Sequence, residues 1–133
     1  MIIRPENPDD VAAIRSVERD AFGQDVEADL VDALRDAPLD TLSFVAELDG
    51  TVVGHVMLTP SLLDAPPRLV TVLALGPLAV APEHQKAGVG RTLVAHALRE
   101  AEVAGYANML SINVALGFAP TGVIGRWQKR LSG

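Results

Sequence analysis

Leu75-Gly76-Pro77-Leu78-Ala79-Val80-Ala81-Pro82-Glu83-His84-Gln85-Lys86-Ala87-Gly88-Val89-Gly90-Arg91 is the stretch that decides how this chain is read. The apolar residues up to Val80 predict a buried strand, Pro82 opens a turn, and Gly88-Val89-Gly90 lead into a helix. Residues 92–104 carry Leu93, Val94, Ala97, Leu98 and Ala101 at the spacing of one buried helical face. A helix start leaves backbone N–H groups without acceptors and carries partial positive charge. Glycines let a phosphate approach that backbone with no side chain in the way. The junction therefore predicts a pyrophosphate site made mainly of main chain.

Two phosphate motifs are excluded by single residues. In a P-loop register ending at Gly90, Gln85 stands where the first glycine belongs and Arg91 stands where the lysine belongs. A dinucleotide fingerprint starting at Gly88 needs a glycine at position 93, which is Leu93.

Outward from the junction, Ile2-Ile3-Arg4 predicts a short first strand. Asn7-Pro8-Asp9-Asp10 has the order of a helix start: an Asn cap, a proline, then acids in the first turn. Val11, Ile14 and Val17 give that helix its apolar face, which ends near Gly23. A second helix begins near Asp25, uses Leu30, Val31 and Leu34, and stops before Pro38. Leu42–Leu48 predicts a strand with Leu42, Phe44, Ala46 and Leu48 on one face. Asp49-Gly50 is a two-residue hairpin turn, and residues 51–58 return as the partner strand. Residues 60–68 hold three prolines and predict a loop. Residues 69–80 form a long strand in which Gly76-Pro77 calls for a bulge, because proline cannot donate to a central ladder. The whole is an α/β sheet with helices on both faces.

The 133 residues suit one domain, and 49% hydrophobic content supplies a core. No apolar run is long enough for a membrane helix, and the first residues lack the layout of a secretory signal. Without cysteine there is no disulfide frame and no thiolate chemistry. The reading is cytoplasmic, with no membrane partner. A net charge of −6 disfavours nucleic acid and is compatible with a cationic or amine substrate, as it is with plain solubility. The three histidines are scattered, and no ligand spacing indicates a metal.

Gln85-Lys86-Ala87-Gly88-Val89-Gly90, with the strand before it and the helix after it, resembles the Gln/Arg-x-x-Gly-x-Gly/Ala signature of the GNAT superfamily of N-acetyltransferases. The segment from Leu42 through Gly54-His55-Val56 to Val80 is similar to a bacterial branch of small GNAT enzymes. The likeness covers roughly residues 2–104. It implies a single domain over residues 1–133 and a GNAT-like mixed sheet, mostly antiparallel and splayed at the fourth strand. It implies acetyl-CoA as co-substrate, with no metal. Lys86, Ala87, Gly88, Val89, Gly90 and Arg91, after Gln85, would hold the pyrophosphate, and Leu78, Ala79 and Val80 would pair with the pantetheine arm. The implied reaction is acetyl transfer to a primary amine of a small molecule or protein, by direct attack in a ternary complex. The acceptor would be chosen by variable loops, here residues 22–25 and 60–68.

The chain departs from that pattern after Gly105. Nine residues separate Tyr106 from Leu116-Gly117-Phe118, too few for both the fifth strand and the helix that follows it in the family. One of the two is missing. As a helix, Met109, Ile112 and Leu116 share a face, and 109–122 resembles the ending of other small GNAT proteins. As a strand, Leu110, Ile112, Val114 and Leu116 alternate. The helix match is the longer one and is preferred. Loss of the fifth strand would leave the fourth with an open edge that a homodimer could complete.

An acetyl transfer needs a deprotonated amine, a stabilised oxyanion and a protonated leaving thiolate. Glu47 and His55 on the central hairpin are candidate bases, and Tyr106, the only tyrosine, is the candidate acid. Tyr106 does not stand where the family keeps its catalytic tyrosine, and a histidine inside a strand is commonly a satisfied core residue. The alternative function is a non-catalytic CoA-binding or assembly module derived from an acetyltransferase.

Overall fold

The computed structural model describes residues 1–65, 68–105, 109–111 and 114–115. In chain order the elements are β1 (Ile2–Pro5), α1 (Val11–Phe22), α2 (Val26–Asp36), β2 (Leu42–Leu48), β3 (Thr51–Ala65), β4 (Arg68–Val80), α3 (Val89–Val103), β5 (Met109–Ser111) and β6 (Val114–Ala115). Short 3₁₀ turns at Pro8–Asp10 and Pro82–His84 precede α1 and α3. The sheet runs β1-β2-β3-β4-β5, with β6 also on β4. The first four strands pair antiparallel, and β5 and β6 lie parallel to β4.

Local chemistry accounts for the entry into α1. Asn7 Oδ1 accepts from the Asp9 N–H at 3.0 Å, and Asp10 Oδ2 accepts from the Asn7 N–H at 2.8 Å. This reciprocal cap satisfies donors that a helix start leaves orphaned. The predicted hairpin turn has φ 52° at Asp49 and 80° at Gly50, the positive pair that a type I′ connection requires.

Strand alternation sorts the core into two layers. Phe44, Ala46, Val56, Leu58, Leu73, Leu75, Leu78 and Val80 pack against Leu93, Val94, Ala97, Leu98 and Ala101 of α3. Val45 and Met57 face the other way, onto Ile14 of α1 and Val31 of α2. The apolar faces read from the sequence for α1, β2 and α3 are thus the faces that are buried. At Gly54 the sheet leaves α3 no room for a side chain between them. A Cβ there would lie 2.8 Å from Leu93 Cδ1 and 3.1 Å from Val89 Cγ1, so only glycine fits without repacking.

Two expectations are corrected. Residues 60–65 and Arg68 are strand and not loop: β3 runs to Ala65 and β4 begins at Arg68, with Pro60 paired opposite Leu73. The pairing of β2 with β3 ends at Leu58, so beyond that point β3 has a partner on one side only among the described residues. An edge tolerates proline, because its missing N–H can face away from the ladder. The preferred helix at 109–122 gives way to the strand register over its first residues. Met109, Leu110 and Ser111 pair with Leu73, Ala74 and Leu75, and Val114 and Ala115 pair with Leu78 and Ala79. Edge groups on β4 supply the partners that a short run cannot supply from its own periodicity. Over Leu73–Leu75 and Leu78–Ala79 that edge is paired within the chain.

Candidate functional site: a main-chain phosphate loop beside a bulged strand

The bulge predicted at Gly76-Pro77 is present. Val56 pairs with Leu78 and Leu58 with Leu75, so Met57 alone faces two residues of β4. Gly76 has φ 140°, a conformation that favours glycine. On the opposite side of β4 the described pairs are those of β5 with Leu73, Ala74 and Leu75 and those of β6 with Leu78 and Ala79. Leu78, Ala79 and Val80 are buried. Val80 has Gly54 as its partner on β3 and no strand partner on the other side among the described residues.

Beyond Val80 the chain turns through Pro82–His84, and the loop is pinned at both ends. Gln85 Nε2 donates to the Val80 carbonyl at 2.9 Å, and the Ala81 N–H donates to the Val53 carbonyl at 2.8 Å. The Gln85 side chain is thus a brace for the loop. Lys86 takes φ 63° and Gly88 φ 89°, two left-handed residues that curl the main chain into the helix. The Thr92 N–H donates to the Gly88 carbonyl at 3.0 Å. Val89, Gly90 and Arg91 therefore enter α3 with N–H groups that have no acceptor within the helix, and Gly88 offers no side-chain cap. Nothing lies within 4 Å of where a Gly88 Cβ would sit. Uncapped donors, helix polarity and open space are what a diphosphate requires. Lys86 and Arg91 are exposed and flank this space in sequence. Gln85 to Arg91 thus run from the loop into the start of α3.

Both candidate bases, Glu47 and His55, are engaged by other side chains. Arg4 holds the Glu47 carboxylate, with Nε at 3.1 Å and Nη2 at 3.0 Å from Oε1. The same guanidinium binds Asp10 at 2.7 and 3.0 Å. Its hydrogen bonds hold the buried Asp10 carboxyl below the ordinary range. Glu47 is therefore part of a structural ion cluster joining β1, β2 and the start of α1. Tyr106 lies outside the described residues.

His55 is wholly buried and belongs to a line of polar groups that the sequence reading missed. Its Nδ1 is 2.7 Å from Glu18 Oε2, and its Nε2 is 2.8 Å from Ser43 Oγ. Ser43 Oγ donates to Glu6 Oε1 at 2.6 Å, and Arg35 clamps Glu6 at 2.6 and 3.1 Å. The order Ser-His-Glu has the outline of a nucleophile triad, but the proton directions forbid that role. Burial works against the Glu6 charge, yet the hydrogen bonds from Arg35 and Ser43 outweigh it and hold the carboxyl below its ordinary range. An ionised Glu6 only accepts, so the Ser43 proton points to Glu6 and Ser43 must accept from His55 Nε2–H. His55 then has no lone pair toward Ser43, and its Nδ1 shares one proton with Glu18. The pattern that could have shown this was Glu18 itself, four residues after Ile14 on the buried stripe of α1.

Comparison with known proteins agrees with the geometry. Residues 11–119 match the family described as Acetyltransferase (GNAT) family. The chain is 39% identical over 87 residues to the Escherichia coli K12 protein called uncharacterized N-acetyltransferase YjhQ, covering 64% of this chain and 48% of that one. It is 34% identical over 113 residues to YhbS of the same strain, named in the same way, covering 84% and 66%. The chain thus spans about half to two thirds of the length of these curated relatives. Among solved structures, a GNAT family acetyltransferase from Brucella melitensis in complex with acetyl-CoA superposes with a TM-score of 0.77 at 37% identity, covering 88% of this chain and 77% of that one. YhbS from Escherichia coli in complex with CoA gives 0.75 at 34% identity, covering 84% and 61%. Among the described residues no helix is long and apolar enough to cross a membrane, and no group of three or more His, Asp or Glu could hold a metal ion. By this match over most of its length, the chain belongs to the GNAT family of acetyltransferases.

Proposed function

We propose that this chain binds acetyl-CoA at the residue 85–91 turn and transfers the acetyl group to a primary amine by direct attack in a ternary complex. The observation that carries this reading is the uncapped start of α3, where Val89, Gly90 and Arg91 enter the helix behind a left-handed Gly88 with open space beside it. In this reading the backbone of Lys86 to Arg91 holds the diphosphate, Arg91 adds a fork to a phosphate oxygen, and β4 lies along the pantetheine. The two relatives solved with acetyl-CoA or CoA support the choice of ligand.

The bulge does the chemical positioning. A strand whose ladder to β3 is interrupted at Gly76-Pro77 can turn main-chain groups toward a thioester. N–H donors fixed beside a carbonyl oxygen favour the charge that develops there during attack. Neither Glu47 nor His55 serves as the base, since one is held by Arg4 and the other is closed inside the core. Calorimetric titration with acetyl-CoA, followed by thiol release with a panel of primary amines, tests the reading. Binding with no thiol release from any amine would favour the non-catalytic CoA-binding module. Retained affinity in Gly88→Glu would show that the phosphate site is elsewhere.

A further inference from the structure

The polar line that ends at Glu18 joins every element on one side of the sheet. It passes from Arg35 on α2 to Glu6 before α1, then to Ser43 on β2, His55 on β3 and Glu18 on α1. The apolar packing on that side is small. Its buried core is Ile14, Val31, Val45 and Met57, against fifteen residues on the α3 side. The proton state of the line therefore weighs heavily on whether the α1–α2 layer docks.

The hydrogen bonds fix how many protons the line holds. Arg35 keeps Glu6 ionised, Ser43 donates to Glu6, and His55 Nε2–H donates to Ser43. His55 Nδ1 and Glu18 Oε2 stand 2.7 Å apart, and both residues are wholly buried. With Nε2 protonated, an empty contact would set the Nδ1 lone pair against a carboxylate in the core, so the contact holds a proton. The folded pair thus carries one proton on Nε2 and one between Nδ1 and Oε2. Unfolded, the same two groups carry the same number between about pH 4.3 and about pH 6.5, and one fewer above about 6.5.

The surrounding charges favour keeping that proton. Burial pushes the Glu18 carboxyl up, and the like charge of Glu27 on α2 adds to it. Glu6 lies 3.9 Å from Nε2, and Asp10 bears on His55 from the start of α1. Arg4 is bound to Asp10 and Glu47, and Arg35 to Glu6 and Asp32. β4 brings no titratable residue between Leu69 and Val80.

We propose that the proton between Glu18 and His55 is a latch: above about pH 6.5 the α1–α2 layer closes on the sheet by taking up one proton, and alkali opens it. The folded pair binds one proton more than the unfolded chain in that range, so stability falls as pH rises. Between about pH 4.3 and about pH 6.5 the counts match, because the proton Glu18 loses on unfolding is offset by the one His55 gains, and the net decline starts at the higher value. Neither group meets acetyl-CoA in the reading above, so the latch stands or falls separately from acetyl transfer.

Urea melts of the whole chain from about pH 5 to about pH 9, beside those of Glu18→Gln, test the latch. The pair should hold the unfolding constant level to about pH 6.5 and then raise it about tenfold per pH unit. In Glu18→Gln the side-chain amide donates to Nδ1 and no extra proton is needed, so the dependence should reverse: level above about pH 6.5 and rising about tenfold per unit below it. His84, His96 and the amino terminus are common to both proteins and cancel in the ratio of the two constants. Should the variant fail to fold, nuclear magnetic resonance of the unaltered protein at about pH 7.5 reads the same protons. It should show His55 Nε2 protonated together with a slowly exchanging proton in the Glu18 contact. A ratio of unfolding constants that does not change with pH would overturn the proposal, as would an Nε2 or a Glu18 contact without its proton.

Discussion

Replacing Gly54 with alanine tests whether the packing of α3 on the sheet sets the phosphate turn. The new methyl would meet Leu93 Cδ1 at 2.8 Å, Val89 Cγ1 at 3.1 Å and Ala46 Cβ at 3.4 Å. Carbon atoms rest about 3.5–4.0 Å apart, so Leu93 must retreat by close to an ångström and Val89 by about half that. Leu93 is fully buried and Val89 is β-branched, so neither has an easy alternative rotamer. Overpacking of this kind costs about 1–3 kcal/mol. Restricting the unfolded chain by Gly→Ala returns about 0.4–1 kcal/mol. The net loss is about 1–2 kcal/mol, a fall in melting temperature of about 3–8 °C for a chain of this size. Val89 is the first residue of α3, so its displacement should also move the Val89, Gly90 and Arg91 donors and weaken acetyl-CoA binding. Thermal melts and calorimetric titration of the same protein read both effects. A Gly54→Ala protein with unchanged melting temperature and unchanged affinity would refute the close approach of α3 as the device that positions the turn. In a Leu93→Ala background Gly54→Ala should cost less than it does alone, a coupling that two independent sites would not show.

Gly88→Ala meets no neighbour, so its cost should be conformational alone, about 1–2 kcal/mol for a left-handed alanine, and acetyl-CoA affinity should fall as the methyl enters the space kept for phosphate; chemical denaturation and titration check the two effects. Gln85→Ala removes the bond to the Val80 carbonyl and should lower stability by about 0.5–1.5 kcal/mol, with acetyl-CoA binding weakened although the side chain faces the protein; unchanged binding would limit Gln85 to the fold. Asp10→Asn tests the Arg4 cluster through pH. The Asp10 carboxyl is depressed by Arg4, so its contribution is present above the ordinary carboxylate value near about 3.9 and lost as pH falls through the lower folded value. The variant should be about 1–3 kcal/mol less stable near neutral pH, and the gap should close in acid; a gap independent of pH in urea melts would contradict the assignment. For Glu18 the sign is opposite. Burial, only partly offset by His55, pushes its carboxyl up, so stability declines as pH rises from the ordinary Glu value through the raised one, and Glu18→Gln should remove that decline.

How much of this was legible in the sequence depended on how local the determinants were. The turn before α3 was read correctly because glycine positions, strand end and helical period all sit within about thirty consecutive residues. The Asp49-Gly50 hairpin and the Asn7 cap were legible for the same reason. Residues 60–65 were misread because the prolines at 60, 66 and 67 signal a loop locally, whereas the pairing of Pro60 with Leu73 is decided by a strand that arrives later in the chain. The 109–115 run fits either period by itself. Pairing with β4 chooses the strand, and no feature within the run reports that partner. The Glu6, Ser43, His55 and Glu18 line was hidden because its links span 12 and 37 positions of sequence. His55 looked like a base because a histidine is recognised by type, while its burial and proton direction are properties of the fold.

A crystal structure of this chain with coenzyme A bound is the most direct test of the central claim. The diphosphate oxygens should lie within hydrogen-bond distance of main-chain N–H groups between Lys86 and Arg91, with the thiol end beside Gly76-Pro77. A diphosphate bound away from the start of α3, or held by side chains alone while those N–H groups face solvent, would contradict it.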